Sequence, residues 1–535
     1  MDPKDKNTDS AEKMSSDDGN FPAPKQSPPD LNQIFEEKDN ILEDVRSNAQ
    51  FARKWYAAYC RWLRDAVEMM PGLEKKDKQR ALFWAGQIIN AMSPANYFWT
   101  NPSAVQKFLE SRGESLRKGY NNWFEDVQRG DGLVQMVDDR EFKIGVNIAT
   151  TPGFVIFRNE LMELIQYSPA TPASYAVPIV LIPPWINKFY IFDLSEQTSL
   201  VRYFLDQGFT LFMISWKNPT QEMRHVTFDD YLLQGVLKAI DVARTICKVK
   251  QVHAAGYCIG GTALAALMAW LNRASGPKRP LPVIDWTLFS TLVDFAEPGD
   301  LGVLITSQTV EAMEDQMKKD GYLDKKYLSL AFRLLRSDSL IWRNFVFNYL
   351  YGGTPPKSDM LYWNSDGTRL PEAMCSFYLR ELYLNNHLAK KDGVRLGGRP
   401  IDLGCIDQPL YVVGAQQDHI SPWQSAFRTC ALVKGPVKFV LSSEGHITGI
   451  VNPSADLSRK KYWVGEAGGV SDPDRWLSGQ GSSEDPGGRI GQHGSHHEVL
   501  PWLNRLRRGA ENTRPWKKPP ARMFLSHKRI TGALP

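Results

Sequence analysis

Gly256-Tyr257-Cys258-Ile259-Gly260-Gly261 sets a cysteine among closely spaced glycines. The run before it, Val249 to Ala255, is strand-like. The run after it, Ile259 to Leu271, is rich in Ala and Leu and reads as a helix. A side chain at such a strand-to-helix turn stands above the sheet in a strained conformation, the geometry of a nucleophile elbow. Glycines flank it because the turn leaves no room for a Cβ on either side. The helix N-terminus beneath it favours a thiolate. The chemistry this predicts is acyl transfer through a cysteine thioester. The competing reading is a buried structural cysteine, because free Cys packs like a small hydrophobe.

A nucleophilic cysteine needs a histidine to take its proton and a carboxylate to orient that histidine. On a hydrolase-type sheet the chain order is nucleophile, acid, histidine. His446 in Ser442-Ser-Glu-Gly-His446 follows the last expected strand and is the candidate base. Asp418 in Val413-Gly-Ala-Gln-Gln-Asp418-His419-Ile420 follows the strand before it and is the candidate acid. Asp402 and Asp407 precede that strand and are less well placed. His419 reads as a loop hydrogen-bonder beside the acid, and His253, inside the elbow strand, as a core histidine. An oxyanion hole needs two backbone N–H groups. Ile259, directly after the cysteine, supplies one. The other is expected from Pro183-Pro184-Trp185-Ile186-Asn187-Lys188. Proline has no N–H, which leaves Trp185 or Ile186, with Ile186 preferred.

These residues need a scaffold. Val177–Ile182, Phe209–Ser215, the elbow strand, Ile284–Val293, Pro409–Gly414 and Val437–Ser442 read as buried-type strands, and Asp229–Cys247 as a helix. Strands alternating with helices imply a mostly parallel sheet covered on both faces. The expected class is α/β, with an α/β-hydrolase-like core over 177–463. The interval 295–406 is too long for one crossover and reads as an inserted cap. It contains helical patterns at Leu328–Leu335 and Met374–Tyr383. Residues 31–176 are expected to form a helical N-terminal domain, whose Trp55, Tyr56, Tyr59 and Trp62 fall at helical spacing. Residues 1–30, rich in Ser, Asp, Lys and Pro, are expected to be disordered. Residues 464–535 read as a Gly-rich and basic tail. Its last part, 500–535, holds nine Arg or Lys against one acidic residue, Glu511.

Bulk properties exclude several classes. Net charge is +4 over 535 residues, too near neutral to argue for nucleic acid. Apolar residues make up 42%, enough for a sizeable core. The six cysteines form no CxxC pair, which suggests a reduced, cytoplasmic protein. The first twenty residues are charged and polar, so no signal peptide is expected. No run of eighteen apolar residues suggests a transmembrane helix. No metal or other cofactor is expected.

Longer motifs carry a resemblance. The cysteine box Gly256–Gly261, Phe142-Lys-Ile-Gly-Val-Asn-Ile-Ala-Thr-Thr-Pro-Gly153, Asn159–Tyr167 and Pro183–Leu194 match one family. So do Ser215-Trp-Lys-Asn-Pro219, Trp363-Asn-Ser-Asp366, Asp418-His-Ile420 and Gly445-His446-Ile447. From about residue 50 to 463 the chain resembles the polyhydroxyalkanoate synthases of the single-subunit type. The resemblance implies an acyltransferase that polymerises (R)-3-hydroxyacyl-CoA, of short chain such as 3-hydroxybutyryl-CoA, into a storage polyester and releases CoA. It implies Cys258 as the chain-bearing nucleophile, His446 as the base and Asp418 as the third member. Arg336, with Arg333 as a second candidate, holds the place of an arginine at the CoA entrance. Trp363 and His419 are further substrate-side candidates. A homodimer, attachment to the granule surface with its associated proteins, and a cytoplasmic location on storage granules follow from the same resemblance. Lys217 stands where the family usually has Arg, and Gly494-Ser-His496-His497 replaces an aromatic pair.

Two rival readings remain at this level. One is a cysteine thioesterase or polyester depolymerase on the same fold. The other is a non-catalytic granule-coating scaffold, which the complete Cys, Asp and His set argues against. Polymerisation requires that water be kept from the acyl enzyme, a task the cap can perform with Trp342, Phe345 and Trp363.

Overall fold

Ile179-Val-Leu-Ile182 is apolar at every position and buried at every position. That is the signature of a strand covered on both faces. Alternate residues go to opposite sides, as a period of two requires. Val180 and Ile182 join one apolar cluster, and Ile179 and Leu181 the other. The computed structural model describes residues 35, 37–130, 132–274, 280–451 and 462–480. The segments expected to be disordered (1–30) and basic (500–535) lie outside the described residues, as does His496-His497.

The main sheet has nine strands. In chain order they are β1 Gly153–Arg158, β2 Met162–Tyr167, β3 Ile179–Ile182, β4 Leu211–Trp216, β5 Val252–Tyr257 and β6 Val283–Phe289, then β7 Leu410–Ala415, β8 Val437–Ser442 and β9 Tyr462–Glu466. Their spatial order is β1-β2-β4-β3-β5-β6-β7-β8-β9. The six strands from β4 to β8 pair in parallel, and antiparallel strands close both edges. Helices cover both faces, so this is the α/β-hydrolase-type core expected from the sequence. β5 lies in mid-sheet, and the helix Ile259–Ala274 follows it.

Two expected boundaries move. β1 and β2 fall inside 31–176, yet they pair onto β4 and extend the catalytic sheet. β9 runs past 463, and the helix Pro473–Gly479 follows it. Its Trp476 is buried, with ring centroids 5.4 Å from Phe427 and 5.1 Å from Phe439. The sheet layer therefore continues into what read as tail. The N-terminal helices are α1 Lys38–Glu68, α2 Lys75–Ala91, α3 Pro102–Glu110 and α4 Glu114–Arg129. Asn101 caps α3 by accepting the Ala104 amide at 3.1 Å, with Pro102 at the first helical position. No described helix is long and apolar enough to cross a membrane.

Candidate active site

Cys258 has φ 54°, in the left-handed region. That conformation costs a residue with a Cβ about 1–2 kcal/mol. The surrounding bonds impose it. The Cys258 N–H donates to the Phe289 carbonyl at 3.0 Å, and the Cys258 carbonyl accepts the Gly261 and Thr262 amides at 2.9 and 3.1 Å. Each neighbouring glycine answers a separate contact. A Cβ on Gly256 would lie 2.5 Å from the Gly261 Cα, one on Gly260 2.4 Å from the Ile182 carbonyl oxygen, and one on Gly261 2.0 Å from Thr291 Oγ1. The elbow is thus wedged between the ends of β3 and β6. Ile259 opens the helix, where first-turn amides have no intrahelical acceptor.

His446 comes from the loop after β8, and Asp418 from the loop after β7. His446 Nδ1 lies 2.7 Å from Asp418 Oδ2. The other carboxylate oxygen, Oδ1, accepts the Ile420 and Ser421 amides at 2.9 and 2.8 Å. The Asp418 side chain is fully enclosed, and that of His446 nearly so. The Tyr257 hydroxyl donates to the His446 carbonyl at 3.1 Å and holds the loop over the elbow strand. Burial alone would push the His446 imidazole down. The Asp418 carboxylate outweighs it, helped by the neighbouring Cys258 side chain, and the imidazole is raised to about 10. Imidazole and carboxylate thus form a hydrogen-bonded pair beside the Cys258 thiol, in the order a proton relay requires.

The substrate-side expectations divide. Arg336 is exposed at the end of the cap helix Lys325–Leu335. His419 is half-buried, and its imidazole is lowered by burial and then by the Arg336 charge. Arg333 is buried instead, and its Nη1 donates to the Val134 carbonyl at 2.5 Å. Trp363 is 4% exposed, and its Nε1–H donates to the Lys188 carbonyl at 2.7 Å, so it braces the 183–188 loop. His253 is a satisfied core residue, 2.9 Å from Asp285 on the neighbouring strand. Asp402 caps a turn by accepting the Gly404 amide at 2.9 Å.

Ile186 lies in the loop leaving β3, whose first residue, Pro183, packs against Gly260 of the elbow. Its carbonyl accepts the Thr368 amide at 3.0 Å. Trp185 is fully buried, its ring 4.4 Å from Tyr231 and 5.3 Å from Trp216.

Sequence reasoning missed Tyr378 and Tyr383 of the cap. Tyr378 is buried and Tyr383 half-buried; desolvation raises both phenols, the neighbouring Tyr383 adds to the rise at Tyr378, and Cys258 adds to it at both. Their rings are 5.2 Å apart. Helical spacing marked them as packing, and nothing in it showed that their helix hangs over the elbow. Among the described residues, no group of three or more His, Cys, Asp or Glu side chains could hold a metal ion.

Comparison with known proteins adds the family. Residues 43–204 match the family described as Poly-beta-hydroxybutyrate polymerase (PhaC) N-terminus. The Poly(3-hydroxyalkanoate) polymerase subunit PhaC of Cupriavidus necator is 39% identical over 435 residues, covering 80% of this chain and 72% of that one. Its counterpart from Rhizobium meliloti is 40% identical over 419 residues, covering 78% and 68%. Poly(3-hydroxyalkanoate) polymerase 2 of Ectopseudomonas oleovorans is 36% identical over 440 residues, covering 82% and 77%. Among solved structures, an alpha/beta fold family hydrolase from Bacillus anthracis aligns with 56% of this chain and 94% of its own, at 9% identity and a TM-score of 0.34. At identities of 36–40% over about four-fifths of its length, this chain belongs to the poly(3-hydroxyalkanoate) polymerases, an acyltransferase family.

Proposed function

We propose that the chain polymerises short-chain (R)-3-hydroxyacyl-CoA through a covalent thioester on Cys258. The Cys258 proton is held on His446, whose imidazole Asp418 keeps raised, and the sulfur attacks the substrate thioester carbonyl. The oxyanion is met by the Ile259 and Ile186 amides. The carbon–sulfur bond to CoA breaks, and the departing CoA sulfur takes the proton from His446. The hydroxyl of another hydroxyacyl unit then gives its proton to the neutral His446 and attacks the Cys258 acyl group. An ester forms, and the cysteine sulfur is released with the proton again held on His446. Both Asp418 oxygens are occupied, one by His446 and one by two amides. This favours His446 as the group that receives the hydroxyl proton, with Asp418 acting through it.

The observation that carries this reading is the His446–Asp418 pair brought to Cys258 at a strained elbow. Arg336, exposed at the end of the cap helix, suits the CoA phosphates as a charge-assisted donor. Action as a homodimer on the surface of cytoplasmic granules, with or without associated proteins, completes the proposal. Phe51, Trp55 and Trp62, 69%, 68% and 63% exposed on α1, suit an apolar surface.

The test is incubation with 3-hydroxybutyryl-CoA, following CoA with a thiol-reactive dye and the product by solubility. Insoluble polymer is expected, and free 3-hydroxybutyrate would favour a thioesterase. Cys258→Ala is expected to abolish both CoA release and polymer. Residual turnover above a trace would sink the assignment.

A further inference from the structure

The loop that supplies the second oxyanion amide is gripped along its backbone by one segment of the cap. Trp363-Asn-Ser-Asp-Gly-Thr368 lies against Trp185–Tyr190, and Asn187 and Gly367 form an antiparallel bridge. The Thr368 hydroxyl donates to the Trp185 carbonyl. The Thr368 amide donates to the Ile186 carbonyl at 3.0 Å, and Trp363 Nε1 to the Lys188 carbonyl at 2.7 Å. Asp366 accepts the Tyr190 hydroxyl at 2.7 Å and pairs with Lys188 Nζ at 3.2 Å.

The direction of these bonds matters more than their number. The Trp185 carbonyl and the Ile186 N–H belong to one planar trans peptide unit and point opposite ways. Drawing that carbonyl onto Thr368 turns the Ile186 N–H away from the cap segment. The same loop leaves β3 against the elbow: a Cβ on Gly260 would stand 2.7 Å from the Pro183 carbonyl oxygen. Thr368 is 4% exposed and Trp185 1%, so water cannot easily replace the hydroxyl. The Trp185 ring, locked among Trp216 and Tyr231, stops the loop from sliding. The peptide can still rotate about its flanking bonds, and the Thr368 hydroxyl prevents that.

We propose that Thr368 is a positioning residue for acylation. Its hydroxyl fixes the Trp185–Ile186 peptide so that the Ile186 amide faces the developing oxyanion. The idea rests on the assignment of Cys258 and Ile186 above. It gives the cap a role in the chemistry besides covering the site.

The experiment uses the full chain and 3-hydroxybutyryl-CoA, with single-turnover CoA release as the rate of acylation. Thr368→Val keeps the shape and removes the donor. Loss of one oxyanion donor lowers rates by about 10²–10³, and a peptide left free to turn forfeits part of that, so a fall of about tenfold to a hundredfold is expected. KM should stay within about twofold, because the amide meets charge only in the transition state. Thr368→Ser restores the hydroxyl and should recover most of the rate. A Thr368→Val protein with wild-type thermal stability and wild-type acylation overturns the proposal. So does a slow variant that Thr368→Ser fails to rescue. If Thr368→Val does not fold, Thr368→Cys serves, since a thiol donates weakly. It should acylate more slowly than Thr368→Ser, and equal rates overturn the proposal. Cys258→Ala is run alongside. CoA release that survives in Cys258→Ala defeats the underlying reading, whereas a dead Cys258→Ala beside an unimpaired Thr368→Val defeats the positioning role alone.

Discussion

Asp418→Asn separates the two halves of the proposed cycle. An asparagine side chain has one carbonyl and one NH2 where the carboxylate has two acceptors. Asp418 Oδ1 accepts two backbone amides, from Ile420 and Ser421. The asparagine carbonyl must take that side, because an NH2 there would face two donors at a cost of about 1–3 kcal/mol for each group left unpaired. The NH2 then faces His446 Nδ1, 2.7 Å away in the wild type. Nδ1 must become an acceptor, so the neutral ring carries its proton on Nε2. In that tautomer His446 cannot take a proton from Cys258. General-base assistance contributes about 10²–10⁴. A thiol ionises partly without help, so acylation should fall by about 10²–10³, or about 2.7–4 kcal/mol of barrier. An alcohol hydroxyl ionises far less readily, so elongation should fall by about 10³–10⁴, as the wrong tautomer does in serine-type triads. Single-turnover CoA release measures the first, and steady-state polymer yield the second. Undiminished elongation would refute the tautomer argument. Wild-type acylation with elongation lost would mean that the carboxylate serves the hydroxyl directly.

The raised imidazole of His446 gives a stability prediction. A pKa lifted from 6.5 to about 10 on folding stabilises the protein fully below about 6.5, and the contribution is lost as pH rises toward 10. The wild-type melting temperature should therefore fall between pH 7 and 10, and fall less in His446→Gln; parallel curves would disprove the linkage. Arg336→Ala should raise KM for the CoA substrate, since a charged hydrogen bond contributes about 1.5–3 kcal/mol and exposure reduces that. An unchanged KM at low ionic strength would remove the entrance role. Deleting residues 1–30 should leave activity nearly unchanged. Deleting to about residue 150 should lower activity and weaken granule attachment in polymer-accumulating cells, and a folded truncation that still pellets fully with the granules would rule out the surface-binding role.

The elbow was legible because its constraints are local. Gly256, Gly260 and Gly261 each answer a contact within a few ångströms of Cys258, and only glycine satisfies them. The positions of Asp418 and His446 were legible because a parallel sheet delivers its loops in strand order. What escaped was set by distant partners. β1, the edge strand, pairs only with β2, and the place of both depends on β2 pairing with β4, about fifty residues later. β9 is short, glycine-containing and adjacent to glycine-rich chain, so its alternation is faint. Trp363 is read as a substrate contact because it is a large aromatic in the cap. Its burial is decided by the Lys188 carbonyl, 175 residues away in sequence. Trp55 and Trp62 are exposed as expected, but Tyr56 is half-buried and donates to the Ile89 carbonyl at 2.9 Å, so it serves the packing of α1 on α2.

The N-terminal helices are also bound up with the cap. Gln87 donates to the Leu334 carbonyl at 3.1 Å, and Asn90 to Ser337 Oγ at 2.9 Å. Asn122 donates to the Asn348 and Gly353 carbonyls at 2.9 Å each, and the Tyr349 hydroxyl donates to Asp126 at 2.7 Å. Gly119 lies so close that a Cβ would stand 1.8 Å from the Tyr349 carbonyl oxygen. These contacts fall at 334–353, on both sides of Arg336 in sequence. Removing α2 and α4 would strand several cap groups, each at about 1–3 kcal/mol where water cannot reach it. The exposed aromatics of α1 point elsewhere. Loss of activity and loss of attachment on truncation therefore have separate physical causes: one is the cap's lost support, the other the lost apolar face. Substituting Trp55 and Trp62 on an otherwise intact chain touches only the second.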